Sequence, residues 1–210
     1  MATRPSRPLP PTVEEVDGED WDGRALDRES FDGVLFREVD MTSLTSSGAT
    51  FAGCVFRDCT LSASAHTSSA FLGCAFVRTR LVGARFVGCK LTGSWFEACA
   101  LDGVVVDGGD WSLVGLAGQD LGRTSFTGVR LREADLAQAK AVGAVLRGCD
   151  LSGAWLHGTD LTRADLVGSE LGAFDVSQPR LRGTRIDVAQ AVAVATSLGL
   201  DVVVDVDDLG

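Results

Sequence analysis

The 210-residue sequence contains no tyrosine and only two histidines, and it has no run of eighteen apolar residues. A membrane-spanning helix needs about 20 consecutive apolar residues, so none is expected. The N-terminus "MATRPSRPLPPTVEE" also lacks the apolar block of a secretory signal, so a cytoplasmic address is expected. Basic residues are scarce, with 19 Lys and Arg against 29 Asp and Glu, a formal charge of −10. That balance argues against a partner that is nucleic acid or an anionic membrane, because neutralising phosphates takes an excess of Lys and Arg. It suits a basic protein partner.

Chemistry-bearing spacings are missing too. None of the six cysteines stands in C-x-x-C, so in a reducing compartment free thiols are expected rather than disulfides or zinc. His66 and His157 lie in no metal spacing and beside no nucleophile motif. No catalytic residue, metal or cofactor is therefore expected, and the chain reads as a non-enzyme. With 45% apolar and 23% charged residues it is nevertheless long enough to bury a substantial core.

What is abundant is glycine and a period of five. Stepping by five from Trp21 to Ile186 gives 34 positions, of which 31 are Leu, Phe, Trp, Met, Val or Ile; only Ser46, His66 and Ala141 depart. Small residues, including all six cysteines (54, 59, 74, 89, 99 and 149), stand two places before this central residue, and glycine dominates two places after it. Five helical residues advance about 500°, which smears an apolar stripe around the cylinder. Five is odd, so in a flat strand the central residues would alternate faces. Both difficulties vanish if the chain turns a corner once per five residues and aims each central side chain at a common axis. The expectation is an all-β solenoid whose coils stack at about 4.8 Å.

The stretches "EADLAQ", "GCDLSG", "GTDLTRADLVG" and "GSELGA" resemble the pentapeptide-repeat family over residues 21–186. That resemblance implies a right-handed quadrilateral parallel β-helix with four pentapeptides per coil. Within it, "SAHTSSAFLGCAF", "GSWFEACAL", "GVRLREADL", "LRGCDLSGA" and "GTRIDVAQAVAVATSLGL" are most similar to the actinobacterial fluoroquinolone-resistance pentapeptide proteins. Those proteins bind DNA gyrase and resemble B-form DNA in size and charge. The resemblance thus implies a DNA mimic that inhibits supercoiling, lowers susceptibility to gyrase-directed drugs and forms a homodimer. A self-resistance factor for a topoisomerase-targeting antibiotic is a close variant. A scaffolding repeat protein with an unrelated partner is the alternative.

Three segments are expected: a disordered Pro-rich arm over 1–16, the repeat over 17–186, and a C-terminal cap over 187–210. In the cap, Asp187 suits an N-cap, and Val188, Ala191, Val192, Ala195 and Leu198 follow at helical spacing up to Gly199. A short strand is expected from Leu200 to Val206. The helix covers the last coil, and the resemblance makes its apolar residues a dimer contact as well.

The candidate partner-binding residues are carboxylates placed immediately before central residues: Asp110, Asp120, Asp135, Asp150, Asp160, Asp165, Glu170 and Asp175. They either serve solubility and block edge association or, in acidic columns, imitate phosphates. Residues 41–100 are net basic, which places the expected acidic surface toward the C-terminal half. Trp95 and Trp155 should point outward, where exposed aromatics sometimes mark a contact; packing under the tail or a neighbouring side chain is the equal alternative.

Overall fold

The computed structural model describes residues 7–171 and 179–203. Parallel pairing at an offset of twenty residues runs along the rod, as in Phe36↔Phe56, Phe56↔Phe76 and Phe76↔Phe96. One side is a 5-stranded ladder from Glu14–Asp17 to Trp95–Glu97, and a second is a 7-stranded ladder from Ala25–Asp27 to Val145–Arg147. A third is the 3-stranded ladder Ser30–Asp32, Thr50–Ala52, Ala70–Leu72. The fourth side is held by single bridges such as Asp20↔Asp40 and Asp40↔Thr60. Four sides of five residues therefore make one coil, as the period requires.

The corner explains the glycines. The residue two places after the central one adopts positive φ in nearly every described repeat, whether Gly53 (57°) or Asp58 (56°) occupies it, with Arg123 an exception. Glycine is favoured there because a β-carbon strains this backbone conformation. Gly109 is demanded more strictly, since a β-carbon on it would lie 2.1 Å from the carbonyl oxygen of Cys89.

Central residues stack in columns along the axis. Phe36, Phe56, Phe76 and Phe96 lie ring over ring at centroid separations of 5.0, 4.8 and 4.7 Å. Phe31, Phe51 and Phe71 form a second stack at 4.9 and 4.7 Å. Offset stacking of aromatics adds to their burial, so these columns anchor the N-terminal half.

Two of the three departures from the apolar rule meet in one column. Ser46 Oγ lies 2.7 Å from His66 Nδ1, and Ser64 Oγ lies 3.0 Å from Nε2. Ser64 donates to the carbonyl of Leu61 (2.7 Å), so it accepts from Nε2–H, and Ser46 donates to Nδ1. The imidazole is thus buried, neutral and fully hydrogen-bonded, its ring stacked 4.8 Å from Phe86. Burial lowers its pKa to about 3.

All six cysteines are free thiols. Each points a weak S–H donor at the carbonyl 23 residues earlier, as in Cys59 to Phe36 (3.3 Å) and Cys99 to Phe76 (3.2 Å). Thr79 and Ser94 do the same from equivalent positions at 2.9 and 2.8 Å. The rule at this position is thus a small side chain that can also satisfy a buried carbonyl. Burial pushes Cys59 and Cys99 up to about 11, which disfavours the reactive thiolate. Replacing Cys54 and Cys59 together by alanine should cost about 1 kcal/mol per site and leave the fold intact, as read by urea denaturation and circular dichroism.

The two ends depart from expectation. The first coil begins inside the expected arm, because Glu14–Asp17 pairs with Val34–Arg37 and Val16 packs on the core one repeat before Trp21. Gly18, with φ 63°, turns the corner after it. Glutamate at position 14, where a small residue is usual, had hidden this repeat. At the other end the helix Val188–Ser197 forms with a capping box between Asp187 and Gln190, and Gly199 (φ 78°) follows its C-cap. Leu200 to Val203 form no strand, and the rest of the expected strand, with Val204 and Val206, lies outside the described residues. No helix among the described residues is long and apolar enough to cross a membrane.

The helix docks by polar contacts rather than by its apolar stripe. Gln190 is buried and donates from Nε2 to the carbonyls of Leu166 and Ser169, each at 2.7 Å. Gly168 N–H donates to Asp187 (3.0 Å). These bonds satisfy open groups at the end of the coil stack. Val188, Ala191, Val192 and Leu198 are exposed, and Ala195 is half-buried.

Candidate partner-binding surface

The corner geometry that points central residues inward points the preceding residue outward, so carboxylates at that position form columns spaced by one coil. Asp150 and Glu170 adjoin in one column, and Asp135 adjoins Trp155 in another. Asp175 lies outside the described residues.

Most of these carboxylates do not stand free. The column through Asp150 reads Lys90, Asp110, Arg130, Asp150, Glu170, with a base between Asp110 and Asp150 and none between Asp150 and Glu170. The next reads Asp120, Lys140, Asp160, Arg180. Arg130 donates to Asp110 (3.0 Å), Arg132 to Asp150 (2.6 Å), and Arg180 lies 3.5 Å from Asp160. Asp165 is held between Arg147 and Arg185, each at 3.1 Å, and is nearly buried. Burial opposes ionisation of Asp110, but bonds from Ser112 and Arg130 prevail and hold its pKa below the usual carboxylate value. Asp150 and Asp160 are lowered chiefly by the hydroxyls of Ser152 and Thr162. Asp120 accepts from Gly122 N–H (3.0 Å) and Asp135 from Ala137 N–H (3.1 Å), while Glu170 is exposed. Where acids and bases alternate along a column, their fields largely cancel beyond a Debye length. Ion pairs therefore neutralise the expected C-terminal surface in part, and residues 102–175 still hold eleven acids against six bases.

The larger excess of charge is at the opposite end. Residues 14–40 hold eleven acids (Glu14, Glu15, Asp17, Glu19, Asp20, Asp22, Asp27, Glu29, Asp32, Glu38 and Asp40) against Arg24, Arg28 and Arg37, a net of −8 within a total of −10. Arg37 is shared by Glu15 and Asp17, and Arg24 pairs with Glu29. Asp20, Asp22, Asp27, Asp32, Glu38 and Asp40 are exposed and have no ion pair among the described residues. Asp20 and Asp40 sit directly one above the other, like charge on like. Asp40 is kept ionised chiefly by the hydroxyl and then the amide of Thr42, which donates at 2.9 Å. A charge count taken coil by coil would have found this end; the repeat position that drew attention to the other carboxylates did not.

The two outward tryptophans differ. Trp155 is 65% exposed, whereas Trp95 is 8% exposed beneath the guanidinium of Arg7, 4.6 Å from the ring centroid.

A four-sided parallel β-solenoid with a polar core node and a charge-patterned exterior defines a repeat protein whose chemistry lies on its outside. The family model for pentapeptide repeats matches residues 116–148 and 130–168. Residues 116–168 thus carry pentapeptide repeats, and the same four-sided parallel coil continues on the N-terminal side of them. No curated protein matches its sequence. Among solved structures it is similar to a trypsin-treated form of QnrB1, a plasmid-mediated fluoroquinolone resistance protein, at TM-score 0.56 and 22% identity over 92% of this chain and 99% of that one. Full-length QnrB1 gives TM-score 0.54 and 20% identity over 90% of this chain and 99% of that one. The likeness is one of fold.

Proposed function

We propose that this rod is a non-enzymatic ligand of DNA gyrase that occupies the enzyme's basic DNA-binding surface, inhibits supercoiling and lowers susceptibility to fluoroquinolones. The observation that carries the reading is the net −8 of residues 14–40, with Asp20 over Asp40 at coil spacing and neither in an ion pair among the described residues. Ionised carboxylates repeated along a narrow rod present to a basic groove what phosphates present. The sequence likeness to gyrase-binding pentapeptide proteins and the fold shared with QnrB1 support the choice of partner. A supercoiling assay with purified gyrase, with and without drug across a protein titration, tests it: inhibition at micromolar protein or below is expected, weakening as salt rises. No effect on supercoiling or on drug-induced cleavage would refute it.

Homodimerisation is proposed through the exposed face of the C-terminal helix. Val188 is 81% exposed and Leu198 59%, an apolar face that the last coil does not use. Val188→Asp with Leu198→Asp should convert a dimer to a monomer in light scattering without changing the circular dichroism of the rod. A wild-type monomer at micromolar concentration would remove this contact.

A further inference from the structure

The outward column through Leu35, Val55, Ala75 and Trp95 is unlike the others. Val55 is 1% exposed and Ala75 0%, although their pleat position points away from the axis. Outward valines on other sides, Val82 and Val87, are 40% and 37% exposed. Val55, Ala75, Val77 and Trp95, with Leu35 against them, form an apolar cluster separate from the axial core.

The N-terminal segment covers this stripe. Val13 N–H donates to the carbonyl of Gly33 (2.7 Å), and the oxygen of Pro11 lies 3.5 Å from where a β-carbon on Gly33 would stand. At the other end the Arg7 guanidinium stacks over Trp95. From position 35 to position 95 the column climbs three coils, about 14 Å at the strand spacing. Six residues of polyproline-type chain reach about 19 Å, which lets residues 8–12 run along the rod axis across the buried Val55 and Ala75. The segment reads Arg7-Pro8-Leu9-Pro10-Pro11. Arginine stacked on a tryptophan, followed by prolines over an apolar floor, is the physics by which aromatic-lined grooves recognise polyproline segments.

The fit is incomplete. The indole N–H of Trp95 is buried and has no acceptor among the described residues. Leu9 is 38% exposed and turns only part of its surface to the groove. Buried donors are normally satisfied, so the groove holds an unfilled demand for a carbonyl at Trp95.

We propose that the Leu35–Val55–Ala75–Trp95 groove is a docking site for an extended, arginine-plus-proline segment of a partner protein, and that residues 7–12 are its intramolecular stand-in, displaced when the partner binds. A tethered segment competes at high effective concentration, so the intact chain binds such a partner weakly until the tether loosens. The proposal is independent of gyrase binding, which uses the acidic surface.

The test is fluorescence anisotropy of labelled peptide SRPLPPT titrated against the full chain and its variants. Arg7→Ala, which loosens the tethered segment, should bind the peptide at least tenfold more tightly than the unaltered chain. Adding Trp95→Phe, which keeps an apolar ring and removes an N–H that this sequence leaves without an acceptor, should change binding less than threefold. Adding Trp95→Ala should abolish it, with circular dichroism reporting that the rod is intact. Equal affinity of the unaltered chain and Arg7→Ala, or binding that survives Trp95→Ala, would overturn the proposal. Peptide binding seen only as a dimer dissociates would assign the groove to the arm of a second copy and overturn it as well.

Discussion

Phe56→Ala should cost about 3–5 kcal/mol, the range for deleting a fully buried aromatic ring. Phe56 is 0% exposed and sandwiched between Phe36 and Phe76 with interplanar angles of 12° and 5°. Its edge also meets Phe51 at 5.5 Å. Removing it opens a gap in the axial column that neighbouring coils cannot close, because backbone pairing fixes their spacing. In a solenoid each coil touches only its neighbours, so the damage should be local. Hydrogen exchange should accelerate in the coils around residues 36–76 and much less near residue 150. A loss under 1 kcal/mol in urea denaturation would mean that the aromatic columns do not carry the stability assigned to them.

Acidification should destabilise the rod through His66. In the unfolded chain a histidine titrates near 6.5, whereas burial holds this one to about 3. Its folded pKa is depressed, so the unfolded state takes up the proton first. The contribution of the buried neutral imidazole is full above pH 6.5 and falls away as pH drops from 6.5 to 3. At about 1.36 kcal/mol per unit the total loss is about 5 kcal/mol, of which about 3 is gone by pH 4. His66→Phe places a ring over Phe86 in its stead and should flatten this dependence, since Ser64 retains the Leu61 carbonyl and Ser46 retains Ser69. The check is the difference between the two proteins in denaturant midpoint at pH 7 and pH 4. Equal slopes would mean that His66 is protonated in the folded chain or plays no part in acid sensitivity.

The coil was legible in the sequence because its cause is local: a large residue every five, a small one before it and a corner after it. Even the departures carried information, since Ser46 and His66 are twenty residues apart and so meet. The helix was legible for the same reason, through Asp187, Gln190 and Gly199. What composition concealed were interactions between segments. Prolines at 8, 10 and 11 suggested a disordered arm, yet Val13, Arg7 and the apolar column seat that stretch on the rod. The carboxylates before central residues looked like a phosphate-like stripe until the twenty-residue offset brought Arg130, Arg132, Arg147, Arg180 and Arg185 beside them. The helix's apolar spacing suggested a lid on the core, but Gln190 makes the lid and leaves Val188 and Leu198 outside.

Charge reversal at the two ends of the rod separates a free acidic surface from a partly ion-paired one. In a gyrase supercoiling titration, Asp20→Lys with Asp40→Lys should raise the half-inhibitory concentration at least tenfold while the thermal midpoint stays within a few degrees of the unaltered protein. Asp150→Lys with Glu170→Lys, in the ion-paired half, should change inhibition less than threefold. Unchanged inhibition by the first pair, or a larger loss from the second, would contradict the assignment of the gyrase-binding surface to the first coils.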